Sequence, residues 1–222
     1  MIPLRDDQST RSFPFVTLLI IAANAYVFAG WQIPLGVQVS VDRAGFLPIE
    51  LTSHAPGGWT HLFTGMFMHG GWMHLIGNMW FLWVFGRGVE DTCGHVRYLL
   101  FYLLCGVSAT LAFTALAPHS EIPLVGASGA ISGVLGGYLL HFPRARVLAI
   151  VPIMGVFIRI MELPAWMFLL FWIGLQIFFQ YVARNAHGVH TSGVAYAAHI
   201  GGFIAGMGLI VFFERTSNRG RS

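Results

Sequence analysis

The chain has 222 residues, of which 56% are hydrophobic and 9% charged, and its mean hydropathy is +0.70, whereas about a quarter of the residues in a soluble domain are charged. This composition excludes a soluble globular domain and specifies a protein that crosses the bilayer several times. The net charge of +3 arises from twelve basic residues, all Arg, and their placement reads as membrane topology rather than as nucleic-acid binding.

Residues 1–12 form a short charged segment, too small for a domain of its own. Beyond it, six stretches could cross a hydrocarbon core that needs about 20 apolar residues: approximately Phe13–Ala29, His74–Val89, Val96–Ala117, Ser128–His141, Pro164–Ala183 and Val194–Phe213. The expectation is an all-α polytopic membrane protein. It has a cytoplasmic segment over 1–12, a six-helix membrane domain over 13–214 and a cytoplasmic tail over 215–222. No signal-cleavage pattern precedes the first span, which is read as retained. With the N-terminus inside, Arg5, Arg11, Arg87, Arg97, Arg144, Arg146, Arg159, Arg215, Arg219 and Arg221 are cytoplasmic, leaving Arg43 and Arg184 outside. This is a strong positive-inside bias.

The first outside loop, about Gly30 to Met73, is long, and long loops tend to be functional. It holds Trp31, Phe46, Trp59, Phe63, Met66 and Phe67 between glycines and prolines. It is read as partly embedded in the interface, where Trp is favoured; a folded cap without chemistry is the alternative. Next, Met68-His-Gly-Gly-Trp-Met-His-Leu-Ile-Gly-Asn-Met-Trp80 carries His69, His74 and Asn78 into the second span. His74 and Asn78, four apart, share one helical face. A common target, a bond from Asn78 to a neighbouring helix and a histidine metal pair all remain open. Arg87, Glu90 and Asp91 at the end of this span read as interface anchors. Cys93 falls in a predicted loop and Cys105 in the third span, so both are expected reduced.

Ser128 lies in Leu124-Val-Gly-Ala-Ser-Gly-Ala-Ile-Ser-Gly133, at the mouth of the fourth span. Alone, it fits glycine-mediated helix packing with an inert hydroxyl. Val147–Met161 is apolar but contains Arg159, and is read as an interfacial segment leading to the fifth span. The Arg184–Val194 loop, with His187, His190, Thr191 and Ser192, is polar enough to cover an aqueous cavity. In the sixth span His199 shares a face with Gly202 and Gly206, while the fourth carries Gly129, Gly133 and Gly137. Packing the two glycine faces together would bring Ser128 against His199 at matching depth.

That juxtaposition points to acyl transfer. An imidazole can take the proton of a serine nucleophile, and His74, Asn78 and the Ser128 N–H at a helix start can donate to an oxyanion. Every carboxylate lies in a loop or at a helix end, so a dyad is expected, with His199 oriented by packing, Tyr196 or water.

Taken together, His69…His74-x-x-x-Asn78, Gly126-x-Ser128-Gly129, Ala198-His199-x-x-Gly202 and Phe85-Gly86…Val89-Glu90 resemble the rhomboid family of intramembrane serine proteases, over about Trp59 to Gly206. The resemblance implies a bacterial-type six-helix bundle in the inner membrane, with Ser128 as nucleophile and His199 as base. It places His74 and Asn78 at the oxyanion and gives His69 a structural role in the first loop. It implies cleavage of transmembrane substrates near the outer face of the bilayer after small residues, the fifth helix acting as a lateral gate, and no cofactor. Two positions depart from the family pattern: Thr60 follows Trp59 where the family often has Arg, and Ser132 stands where an aromatic commonly stacks on the imidazole. The alternatives are a catalytically silent relative that binds membrane helices and a transporter with broken helices. A zinc protease is disfavoured because no His-Glu-x-x-His occurs.

Overall fold

A computed structural model describes residues 1–153, 157–185 and 195–215. After strand β1 (Ile2–Asp6), α1 (Phe15–Tyr26) continues through a π turn over Val27–Gln32 into α2 (Ile33–Leu35). The first loop then folds into α3 (Val37–Ala44), α4 (Pro48–Thr52) and α5 (Gly58–Thr64). It is followed by α6 (Trp72–Cys93), α7 (His95–Leu116), α8 (Ser128–His141), the hairpin β2 (Arg146–Ile153) and β3 (Phe157–Pro164), α9 (Ala165–Asn185) and α10 (Tyr196–Phe213).

Among the described residues, four helical stretches are long and apolar enough to cross a membrane: Phe15–Leu35, His95–Leu116, Ala165–Asn185 and Tyr196–Phe213. The other two expected spans correspond to α6, whose last turns carry Arg87, Glu90 and Asp91, and α8, which has 14 residues. The apolar core runs through the middle of the bundle, where Leu82, Phe85, Tyr98, Phe101, Leu135, Tyr138 and Phe168 are fully buried.

α8 and α10 pack in parallel, and their glycines set the separation. A Cβ on Gly202 would fall on the Gly129 carbonyl, and one on Gly206 on the Gly133 carbonyl one turn further along. Gly136, rather than Gly137, completes the approach by lying against the Phe203 carbonyl. Bare backbone therefore meets bare backbone for two turns, as close membrane-helix packing requires.

Several expectations need correction. The chain is not purely α-helical, because within the stretch read as an interfacial segment residues 147–153 and 157–161 lie in two paired β-strands, and the charged N-terminal segment supplies a third strand. β1 pairs antiparallel with β2, Ile2 opposite Ile150 and Asp6 opposite Val147, and β2 pairs with β3 from Arg146↔Pro164 to Ile153↔Phe157. Val147, Ile150, Val151 and Ile153 in β2 and Phe157, Ile158 and Ile160 in β3 suit a pleated surface.

Nor is Glu90 an interface anchor. It is fully buried, and its carboxylate accepts the Val16 and Thr17 backbone N–H groups at 2.8 and 2.7 Å and the Thr17 hydroxyl at 2.6 Å. It thereby caps α1 from another helix, satisfying donors that a helix start leaves open. Asp91 accepts from Ser12 Oγ at 2.6 Å, and Arg87 pairs with buried Asp6. Cys93 is the last residue of α6, not a loop residue; it and Cys105 are free and buried. The loop histidines His187 and His190, with Thr191 and Ser192, lie outside the described residues.

Candidate active site

The chain enters α8 through a run clamped to the first loop. Phe46 and Leu124 exchange two backbone hydrogen bonds, at 2.7 and 3.1 Å, and the Gly126 N–H donates to the Gly65 carbonyl at 2.9 Å. Gly126 then turns the backbone with φ +118, in the region that favours glycine. A Cβ there would sit 2.7 Å from His74 Nε2 and 3.5 Å from Asn78 Nδ2. The bare backbone just before Ser128 thus passes directly across the polar face of α6.

Ser128 is the first residue of α8, where backbone N–H groups have no helical partner. Its Oγ lies 2.8 Å from His199 Nε2, the separation that the α8–α10 glycine contact permits. The other imidazole nitrogen, Nδ1, lies 2.8 Å from Gln176 Oε1 on α9, and the Trp172 ring, one turn earlier on α9, is 5.9 Å from the imidazole. Tyr196 stacks on Phe179 at 5.6 Å. His199, expected to be oriented by packing, Tyr196 or water, has the Gln176 amide oxygen at Nδ1 and the Trp172 ring packed beside it. Ser132 is fully buried and its Oγ has no partner among the described residues, and the ring beside the imidazole comes from α9 instead of α8.

On α6, the Gly70 N–H donates to His74 Nδ1 at 3.3 Å, which leaves the proton of the neutral ring on Nε2, the atom nearest Gly126. Asn78 is 9% exposed and its Nδ2 has no hydrogen-bond partner among the described residues. Ser128, His199, His74, Asn78 and Gly126 all line one cavity of about 550 Å³, which Phe46, Met66, Leu124 and Thr110 also line. Such a volume accommodates water and a peptide segment together.

His69 is fully buried beneath this wall, its ring edge-on to His74 at 5.1 Å. Gln32 brackets its backbone, accepting the His69 N–H at 2.8 Å and donating to the His69 carbonyl at 3.1 Å. Burial, reinforced by the neighbouring His74, pushes the His69 pKa down to about 4, so the ring is neutral at neutral pH. Trp59 is 68% exposed, and the loop is held instead by the Phe46–Leu124 bridge and by His61 Nδ1 against Glu50 at 2.7 Å.

Gln176 and Trp172, both set against the His199 imidazole, are the residues that sequence reasoning missed. The available signal was a polar residue inside an apolar span, which is a functional hypothesis by default.

A model of the rhomboid domain matches residues 56–216 of the chain. The chain is similar to the rhomboid protease GluP of Bacillus subtilis, at 30% identity over 87% of the chain and 34% of the relative. It is also similar to rhomboid protein 1 of Saccharomyces cerevisiae mitochondria, at 32% over 59% of the chain and 35% of the relative. The mouse mitochondrial presenilin-associated rhomboid-like protein is 25% identical over 87% of the chain and 47% of its own length. The chain therefore spans between a third and a half of these relatives.

Proposed function

The chain belongs to the rhomboid family, and from that premise we propose that it is a serine-type intramembrane endopeptidase that hydrolyses peptide bonds of transmembrane proteins near the outer part of the bilayer. The observation that carries this reading is the 2.8 Å contact of Ser128 Oγ with His199 Nε2 in a cavity large enough for water.

In the reaction, Ser128 Oγ attacks the scissile carbonyl carbon while His199 Nε2 takes the hydroxyl proton. The negative charge gathers on the carbonyl oxygen, toward which His74 Nε2–H, Asn78 Nδ2–H and the Ser128 backbone N–H can donate. Collapse of the tetrahedral intermediate expels the amine, which receives the proton from the imidazolium and leaves an acyl ester on Ser128. A water in the cavity, deprotonated by His199, then hydrolyses the ester. Nothing in these steps calls for a cofactor.

The architecture that goes with this function is a six-helix bundle in which α6 and α8 join the four long apolar helices. The Arg distribution favours cytoplasmic termini, and the similarity to a bacterial relative goes with a bacterial inner membrane. Co-reconstitution with a single-span substrate in liposomes tests the reading. The wild type is expected to release cleavage products, and Ser128→Ala and His199→Ala, equally well folded, are expected to release none. Cleavage that persists in Ser128→Ala contradicts it.

A further inference from the structure

A neutral imidazole carries one N–H, and only the bare nitrogen can accept a proton from serine. Free imidazole side chains favour the tautomer protonated on Nε2, which at His199 would face Ser128 with the wrong atom. In this protein Gln176 Oε1, a pure acceptor, lies 2.8 Å from Nδ1 while Ser128 Oγ lies 2.8 Å from Nε2. A carbonyl on one side demands the proton on Nδ1 and leaves the lone pair on Nε2 for the hydroxyl.

We propose that Gln176 is the positioning residue of the dyad: its amide carbonyl fixes His199 in the tautomer that can deprotonate Ser128, making α9 part of the machinery. The inference rests on the reading of Ser128 and His199 as nucleophile and base, and it adds a residue from a third helix that the sequence motifs do not contain.

The buried residues of α9 are Ala165, Phe168, Leu169 and Ile173, all in its first nine positions, and from Gly174 to Asn185 none is buried. Gln176 therefore meets His199 from the half of α9 that packs least against the described residues, beside the Phe179–Tyr196 stack.

The test compares Gln176→Leu, which removes the acceptor, with Gln176→Glu, which keeps one at the same reach. Gln176→Leu is expected to lower kcat for a transmembrane substrate on the order of tenfold to a hundredfold, less than the roughly 10⁴-fold loss when a triad carboxylate is neutralised. KM and the thermal midpoint stay near wild type, and fluorophosphonate labelling of Ser128 slows in parallel. Gln176→Glu restores most of the rate. Labelling and kcat of Gln176→Leu within threefold of wild type, or a loss that Gln176→Glu does not relieve, overturn the proposal. A wild type that neither labels nor cleaves would instead remove the reading beneath it, so the two failures are distinct.

Discussion

In the wall of the cavity that contains Ser128, Asn78 holds a buried amide nitrogen with no partner among the described residues. Leaving such a donor unsatisfied costs about 1–3 kcal/mol, a cost that an oxygen developing negative charge beside it would offset. Asn78→Ala removes the donor and its desolvation cost together. It is expected to lower kcat by roughly a hundredfold or more while the thermal midpoint stays unchanged or rises. A fall of many degrees with little kinetic change would mark Asn78 as structural. At this scale the motifs around His74, Asn78, Ser128 and His199 were legible because each sets a polar group in an apolar run at a helical spacing. Gln176 and Gln180 stand one turn apart in an equally apolar run, but periodicity does not say which helix a face meets. The partner of His199 was therefore invisible until α9 was seated.

Between the elements, the separation of α8 from α10 decides whether Ser128 reaches His199. A methyl group on Gly206 would collide with the Gly133 carbonyl, which is backbone and cannot turn aside. Overpacking of this kind costs about 1–3 kcal/mol or more, and here it also moves the two site residues apart. Gly206→Ala is expected to lower the thermal midpoint and to slow labelling of Ser128 more than tenfold, although residue 206 lies two turns below the imidazole. An unchanged midpoint with unchanged labelling would contradict the close packing. The glycine ridges were readable from their spacing of four residues. The hairpin was not, because a continuous apolar run can be strand or helix by periodicity alone. The β-branched residues Val147, Ile150 and Val151 were the signal to weigh, and Arg159 drew attention to the membrane interface instead of to strand pairing. The role of Glu90 was hidden for a related reason, since its partners Val16 and Thr17 are more than seventy residues away.

Over the whole molecule, polar contacts gather at both ends of the bundle. At one end lies the cavity; toward the other, Asp6 of β1 takes the Tyr138 hydroxyl at 2.6 Å and pairs with Arg87, tying the N-terminal strand to α8 and α6. The pairing of residues 2–6 with 147–150 spans most of the chain, a distance over which local patterning carries no information, whereas composition and Arg placement were enough to read a multi-span membrane protein. The central claim is that two separate helices deliver a nucleophile and its base to one wet cavity. Fluorophosphonate labelling of the folded protein in mild detergent, with the adduct mapped by peptide mass spectrometry, tests it most directly. One adduct per chain on Ser128, lost in His199→Ala and after heat unfolding, is the result expected. An adduct elsewhere, or labelling that continues in Ser128→Ala, would contradict it.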